Sequence, residues 1–191
     1  MPLEDAQRWD ARYLEESRYA SFEQPRRFLV EQGERLPRSG LALDVAMGLG
    51  GNAGFLLERG LRVIGVDISG IAVRRAKRRH PQLMAVQADL THWRLPESKF
   101  DVIVNFYYLQ RDLWPQYLRA LRPDGWLIIE TMTREILSLQ PDIDARYLLE
   151  PGELQRAFAG LEIASYWEGW QESDTGHPRA VACMAAYKKS S

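Results

Sequence analysis

Three acidic residues stand at the ends of three successive predicted strands, and the first of them precedes a glycine-rich turn. The residues are Asp44, Asp67 and Asp89, and the turn is Met47–Asn52. Glycines let a backbone turn sharply and approach a ligand without a side chain in the way. Because ligands bind outside the carboxyl ends of parallel strands, these groups are predicted to line one ligand site.

Two kinds of cofactor fit this pattern. Gly48–Ala53 matches the loose G-x-G-x-x-A pattern of dinucleotide-binding turns, with Asp67 roughly 20 residues on to bind a ribose. A pyrophosphate is anionic, however, and the Asp44 carboxylate beside it is unfavourable. A cofactor that carries an ammonium and a sulfonium favours a carboxylate there, with Asp67 on the ribose hydroxyls and Asp89 near an adenine amino group. The three carboxylates therefore favour a cationic adenosine cofactor over a nicotinamide dinucleotide.

Strands that alternate with helices position these residues. Strands are predicted at 41–46, 62–66, 83–88, 100–106 and 126–130, and helices at 25–36, 53–59, 69–79, 112–121 and 151–158. This alternation implies a parallel sheet that is covered on both faces. Two further strands, at 162–168 and 179–187, predict a hairpin or a pair of edge strands. The first twenty residues are charged and aromatic and predict an amphipathic, mobile segment.

Composition restricts the class of protein. The chain has 191 residues, of which 46% are hydrophobic, and a formal net charge of −1. This length predicts one domain with a full core. The single cysteine, Cys183, excludes an internal disulfide and a cysteine-rich metal site. Without a basic excess, a secretory signal or an apolar run of about 18 residues, we expect a cytoplasmic protein without a nucleic-acid or membrane partner.

The motifs together resemble those of class I S-adenosylmethionine-dependent methyltransferases. The acidic-x-Gly-x-Gly-x-Gly motif of that family is Asp44-x-Ala46-x-Gly48-x-Gly50 here, with Ala46 in place of the first glycine. The later motifs are similar to Asp67-Ile68-Ser69, Ala88-Asp89-Leu90, Phe100–Asn105 and Leu121–Leu127. Trp9-x-x-Arg12-Tyr13 and Gly50-Gly51-Asn52 resemble the tellurite-resistance and thiopurine-methylating branch.

The resemblance implies a Rossmann-like three-layer αβα sandwich, with a mostly parallel seven-stranded sheet and an antiparallel C-terminal strand. It implies S-adenosylmethionine as the cofactor and no metal. Residues 1–24 would form a lid, and residues 25–191 would form the single methyltransferase domain. The implied cofactor-binding residues are Arg12, Tyr13, Asp44, Ala46, Gly48, Gly50, Asn52, Asp67, Ile68, Ala88, Asp89, Leu90, Asn105 and Phe106. No catalytic residue is identified.

The resemblance predicts methyl transfer to a small molecule with a soft or heteroatom nucleophile, by a monomer or homodimer. Four alternatives stay open at this point. Asn105–Tyr108 is similar to the Asn-Pro-Pro-Tyr motif of amino-group methylases but lacks both prolines, and the basic residues Arg74, Arg75 and Arg78 would suit RNA. An NAD-dependent oxidoreductase and a non-catalytic S-adenosylmethionine-binding domain are the other two.

Overall fold

A computed structural model describes residues 2–15, 20–173 and 176–190. Within these ranges a single seven-stranded sheet has the order β3-β2-β1-β4-β5-β7-β6. Its strands are β1 (Leu41–Val45), β2 (Arg62–Asp67), β3 (Met84–Gln87), β4 (Phe100–Phe106), β5 (Leu121–Met132), β6 (Glu162–Glu172) and β7 (Pro178–Tyr187). In the same ranges, no helix has the length and apolar character that crossing a membrane requires.

The sheet is parallel except at one strand. The first five strands pair with one another in parallel, and β7 pairs antiparallel with both of its neighbours, β5 and β6. The predicted mostly parallel sheet with an antiparallel C-terminal strand is confirmed. The predicted hairpin is also present, and its second strand lies between β5 and β6.

Helices cover both faces of the sheet and bury two separate cores. One face carries α2 (Arg27–Glu31), α3 (Gly51–Glu58) and α4 (Gly70–Arg79), and the other carries α5 (Trp114–Ala120) and α6 (Glu153–Ala157). Alternate residues of a strand supply opposite cores, so Leu41 and Leu43 pack towards α5 while Ala42 packs towards α3. The three-layer sandwich is confirmed.

The central strands are buried on both faces, which explains their nearly continuous apolar sequence. All five residues of β1 are buried, and Asp44 is the only polar residue among them. Ser69 caps α4, because its hydroxyl oxygen accepts from the Ala72 N–H at 3.1 Å. The helix predicted from residue 112 begins later: a 3-10 turn over Arg111–Leu113 precedes α5, and no side chain caps that helix.

The predicted mobile N-terminal segment contains a docked helix, α1 (Pro2–Leu14). Asp10 fastens it to the start of α4, since its Oδ1 accepts from the Ser69 hydroxyl at 2.5 Å and from the Ile71 N–H at 3.1 Å. The Arg75 guanidinium donates to the Tyr13 carbonyl at 2.8 Å. These bonds and a small apolar cluster around Tyr13 hold α1 against the sandwich.

We predict that Asp10→Ala loosens α1. The change removes the acceptor for two donors, which costs about 1–3 kcal/mol of local stability. Amide hydrogen exchange of residues 2–15 should therefore speed up, while exchange in β1 and β4 stays as it is. Asp5→Ala is the matched control, since Asp5 lies on the same helix and pairs with the exposed Arg8 at 2.7 Å. Equal protection of α1 in both variants would contradict this role of Asp10.

Candidate functional site

The glycine turn lies where the strand order reverses, at the carboxyl end of β1 between β2 and β4. Left-handed backbone occurs at Ala46 (φ 53°), which directly precedes the turn, and at Gly48 (φ 55°) and Gly50 (φ 81°) within it. Glycine adopts this conformation freely, whereas a Cβ atom costs roughly 1–2 kcal/mol there. The backbone therefore carries strain at Ala46, the position where the family motif has a glycine.

Asp67 holds the turn in place from the end of β2. Its Oδ2 accepts from the Gly48 N–H at 2.9 Å, and its Oδ1 accepts from the Ser69 N–H at 2.9 Å. The side chain is 5% exposed, and burial raises its pKa while these backbone N–H groups lower it. Each carboxylate oxygen keeps a second lone pair, so the group can still accept hydrogen bonds from a ligand.

Asp44 lies beside Asp67 and is 1% exposed. Burial, followed by the Asp67 carboxylate, raises the pKa of Asp44 to about 8, although the Ala53 N–H of α3 opposes the shift. Its Oδ2 has no hydrogen-bond partner within the described part of the chain. A buried carboxylate oxygen without a donor costs free energy, and a cationic ligand group at the turn would satisfy it.

A third acidic position lies at the end of β3. Asp89 is half-buried, and its Oδ1 accepts from the Thr91 N–H at 2.9 Å. Its Oδ2 has no hydrogen-bond partner among the residues described, and His92 Nε2 lies 3.9 Å from it. Burial raises the pKa of Tyr108, and the negative charges of Asp89 and Asp67 add to the shift. Ile68 and Ala88 are half-buried next to them, and Leu90 belongs to the core.

The N-terminal helix covers the glycine turn through one of its two predicted residues. Tyr13 is 5% exposed, and a Cβ atom at Gly48 would lie 3.0 Å from its hydroxyl oxygen. Arg12 instead points outwards, is exposed, and has its guanidinium 4.9 Å from the centre of the Trp9 ring. Tyr13 is therefore at the predicted site, whereas Arg12 packs on the outer side of the helix.

The side chains of three other predicted residues, Asn52, Asn105 and Phe106, contact other parts of the protein. The Asn52 side-chain oxygen accepts from the Arg26 N–H at 2.9 Å, which ties the segment before α2 to the start of α3. Asn105 is fully buried on the α5 face, where its Nδ2 donates to the Tyr117 hydroxyl at 3.1 Å. Phe106 packs in the core beneath α2 and α3. The sequence places Asn105 and Phe106 at the end of β4 and Asn52 at the start of α3, but it does not determine their side-chain partners.

The structure also reveals a cleft that the motifs did not predict, beside the ends of β4 and β5. Glu130 is 4% exposed and accepts from Cys183 Sγ at 3.3 Å and from the Tyr107 hydroxyl. The cleft has a volume of about 30 Å³ and is lined by Arg27, Phe28, Glu31, Tyr107, Glu130, Gln171, Glu172 and Ser173. The available sequence signal was Glu130 itself, a single charged residue at the end of the apolar run Trp126–Ile129.

Comparison with known proteins gives a methyltransferase match for the region that holds the turn. Residues 42–125 match the family model described as a methyltransferase domain. The chain is 33% identical over 128 residues to a putative 23S rRNA (guanine-N(1)-)-methyltransferase of Micromonospora griseorubida, covering 60% of this chain and 42% of the relative. It is 37% identical over 95 residues to a trans-aconitate 2-methyltransferase of Azoarcus sp., covering 46% of this chain and 37% of the relative. The chain thus spans about two fifths of these relatives.

A solved structure extends the likeness of fold over most of the chain. The crystal structure of a putative S-adenosylmethionine-dependent methyltransferase from Listeria monocytogenes superposes with a TM-score of 0.69 at 16% identity. The superposition covers 85% of this chain and 97% of that one. At this identity the likeness concerns the fold alone.

We predict that Asp44→Asn stabilises the ligand-free protein at alkaline pH. The ordinary pKa of an aspartate is 3.8, and the pKa of Asp44 is about 8 in the folded protein. Between about pH 4 and 8 the unfolded chain loses the Asp44 proton more readily than the folded protein does, so the free energy of unfolding falls as the pH rises. An amide has no proton to lose in this range. The melting temperature of Asp44→Asn should therefore exceed that of wild type by several degrees at pH 8, with a smaller difference at pH 5.

The control for this measurement is Asp142→Asn, which removes a carboxylate from an exposed position in the loop after β5. This variant should follow wild type at both pH values. If the melting temperatures of Asp44→Asn and wild type depend on pH in the same way, the assigned pKa shift of Asp44 is contradicted.

Proposed function

We propose that this chain, whose residues 42–125 carry a methyltransferase domain on the fold of the class I S-adenosylmethionine-dependent methyltransferases, transfers a methyl group from S-adenosylmethionine to a small-molecule acceptor. The observation that carries the proposal is the unpartnered, buried Asp44 oxygen at the glycine turn. A ligand group without a hydrogen-bond donor at that point would leave this oxygen unsatisfied, whereas an ammonium group would donate to it and would also favour the ionised carboxylate.

The residues present fit the proposed cofactor at three points. Asp44 would accept from the ammonium of the amino-acid end, and Asp67 would use its remaining lone pairs for the ribose hydroxyls. The second unpartnered oxygen, Asp89 Oδ2, would accept from the adenine amino group. When bound, S-adenosylmethionine supplies a methyl group that its sulfonium sulfur already activates.

The protein's own contribution is then to position the reactants and to exclude water. Gly48 and Gly50 keep the turn free of side chains, so the backbone N–H groups at the start of α3 can approach a ligand. Tyr13 covers the turn from α1. The Asp67 hydrogen bonds to Gly48 and Ser69 keep this arrangement rigid before a ligand arrives.

The contacts of the basic helix α4 support a small acceptor over RNA. Arg75 and Arg79 bond to Glu23, at 3.3 and 2.6 Å, and Arg75 also bonds to the Tyr13 carbonyl. The Lys77 ammonium donates to the carbonyls of Pro81 and Leu83 at 2.8 Å each. Arg75, one of the three residues that would suit RNA, and two further basic residues of α4 therefore hold the protein's own segments, and an RNA backbone would have to compete with those contacts.

Several finer points stay predictions. They are the placement in the tellurite-resistance and thiopurine branch, the division into a lid (1–24) and a domain (25–191), a monomeric or homodimeric state, and a cytoplasmic location. The likeness to methyltransferases makes methyl transfer a better hypothesis than nicotinamide-dependent oxidoreduction, and catalysis a better one than binding alone.

We predict that S-adenosylhomocysteine binds the wild-type protein in isothermal titration calorimetry, while NAD does not. Asp44→Asn should weaken S-adenosylhomocysteine binding by about 10- to 100-fold, since it replaces a charge-assisted hydrogen bond by a neutral one. The exposed-site variant Asp142→Asn should bind like wild type. A folded wild-type protein that binds NAD, or that binds neither compound, would refute the proposed function.

A further inference from the structure

A cavity with a volume of about 400 Å³ lies between α4, the glycine turn and the 3-10 turn Ala20–Glu23. Ligand pockets in proteins have volumes of about 300–1,000 Å³, so this cavity has room for a small organic molecule. Neither the sequence motifs nor the proposed function gives the cavity a role. Among the described residues, its lining consists of Glu23, Leu49, Arg75, Arg78 and Arg79.

The cavity carries an excess of positive charge. In the part of the chain that the structure describes, three arginines line it against one carboxylate, that of Glu23. The arginines belong to α4, which has five basic residues and no acidic residue among its ten. The whole chain has a net charge of −1, so the positive potential is a local property of this helix. A concave surface lined by charges of one sign concentrates ions of the opposite sign.

Glu23 uses only some of the hydrogen-bond donors in the cavity. Its two carboxylate oxygens accept from the Arg75 and Arg79 guanidinium groups, at 3.3 and 2.6 Å. A guanidinium has five N–H donors, and Arg79 uses one of them within the described residues. Arg78 is exposed and forms no hydrogen bond or ion pair with any residue that the structure describes. Donors of Arg78 and Arg79 therefore remain for an anion that enters the cavity.

The chemistry of these donors favours a phosphoryl group. The planar guanidinium fork binds two phosphate oxygens at once, which an ammonium group cannot do. A phosphate monoester carries close to two negative charges at neutral pH, which matches the excess of two positive charges among the lining residues. Leu49 and the methylene stems of the arginines supply apolar surface for the organic part of the molecule.

We propose that this cavity binds a small organic phosphate, whose phosphoryl group bonds to Arg78 and Arg79 beside Glu23. The inference stands apart from the proposed function, because neither the cofactor nor the methyl acceptor takes part in it. The observations favour a small molecule over RNA. The Arg75 side chain is only 20% exposed, so a group that enters the cavity approaches it more closely than a strand lying across α4.

The cavity adjoins the glycine turn, so a test must tell the two apart. Leu49 belongs to the turn and packs in one apolar cluster with Tyr13 of α1. The start of α3 behind the turn is a helix N-terminus, and helix N-termini attract phosphate groups. Phosphate binding to the protein therefore has to be measured with the turn both free and occupied.

The first test measures binding by isothermal titration calorimetry. Phenyl phosphate, ribose 5-phosphate and inorganic phosphate are titrated into the wild-type protein, with and without saturating S-adenosylhomocysteine. We expect at least one organic phosphate to bind with a Kd below about 1 mM, more tightly than inorganic phosphate and equally well under both conditions. The proposal is overturned if neither organic phosphate binds, if inorganic phosphate binds as tightly, or if S-adenosylhomocysteine displaces the probe.

The second test uses two substitutions that should change the affinity in opposite directions. Arg78→Gln removes a cation and should weaken binding of the tighter organic phosphate by about 5- to 10-fold. Glu23→Gln removes the competing carboxylate and should tighten this binding by about 3- to 10-fold. A purely structural role of these residues would instead weaken binding in both variants, and that result would contradict the proposal.

The chain contains a matched control for each substitution. Glu34 is also shared by two arginines, Arg38 at 3.4 Å and Arg59 at 3.3 Å, but it does not line the cavity. Arg94 is an exposed arginine in the loop before β4 and lies outside the lining as well. Glu34→Gln and Arg94→Gln should bind the phosphate like wild type. Equal weakening in Arg94→Gln and Arg78→Gln would mean that only the overall charge matters, which would overturn the site.

A final arm of the experiment tests RNA as the occupant. A short single-stranded RNA is titrated into the wild-type protein and into Arg78→Gln, with detection by fluorescence anisotropy. We expect that the RNA does not displace the organic phosphate from the wild-type protein. RNA that displaces the phosphate and binds more weakly to Arg78→Gln would identify α4 as a nucleic-acid surface and overturn the proposal.

Discussion

The Asp67 carboxylate joins the parts of the molecule on which the candidate site depends. One oxygen binds the Gly48 N–H of the turn after β1, and the other binds the Ser69 N–H at the start of α4. Ser69 in turn caps α4 and donates to Asp10 of the N-terminal helix. Two strands, two helices and the glycine turn therefore share one short hydrogen-bond chain. Asp67 therefore holds the glycine turn directly and, through Ser69 and Asp10, also helps to position helix α1, which covers the turn.

This arrangement has a cost in the ligand-free protein. Asp44 and Asp67 are both buried, and burial together with the Asp67 carboxylate disfavours ionisation of Asp44. Asp44 is left with an oxygen that no donor in the described residues satisfies. Groups of this kind are typical of functional sites, because the interaction that they lack in the free protein is the one that a ligand provides. The strained backbone at Ala46 belongs to the same pattern.

Two polar regions thus share the carboxyl edge of the sheet. The region at β1, β2 and β3 is acidic and has unpartnered oxygens, which suits a cationic cofactor. The region at β4, β5 and β7 has a buried carboxylate, that of Glu130, which accepts a hydrogen bond from the Cys183 thiol. The antiparallel strand β7 matters here, because it brings Cys183 beside Glu130 and so completes the second region.

The sequence by itself determined the alternation of strands and helices, the glycine turn, and the acidic residues at the first three strand ends. Apolar periodicity and turn chemistry are local properties, so they can be recognised without knowing which segments meet. The sequence could not determine that Asn105 bonds to Tyr117 on the α5 face, that Arg12 lies outside the site while Tyr13 lies inside, or that Asp10 fastens α1 to α4. Glu130, Tyr107 and Cys183 are far apart in the chain and carry no motif. Only the strand order and register bring them together, because side chains on neighbouring strands meet only when the sheet has formed.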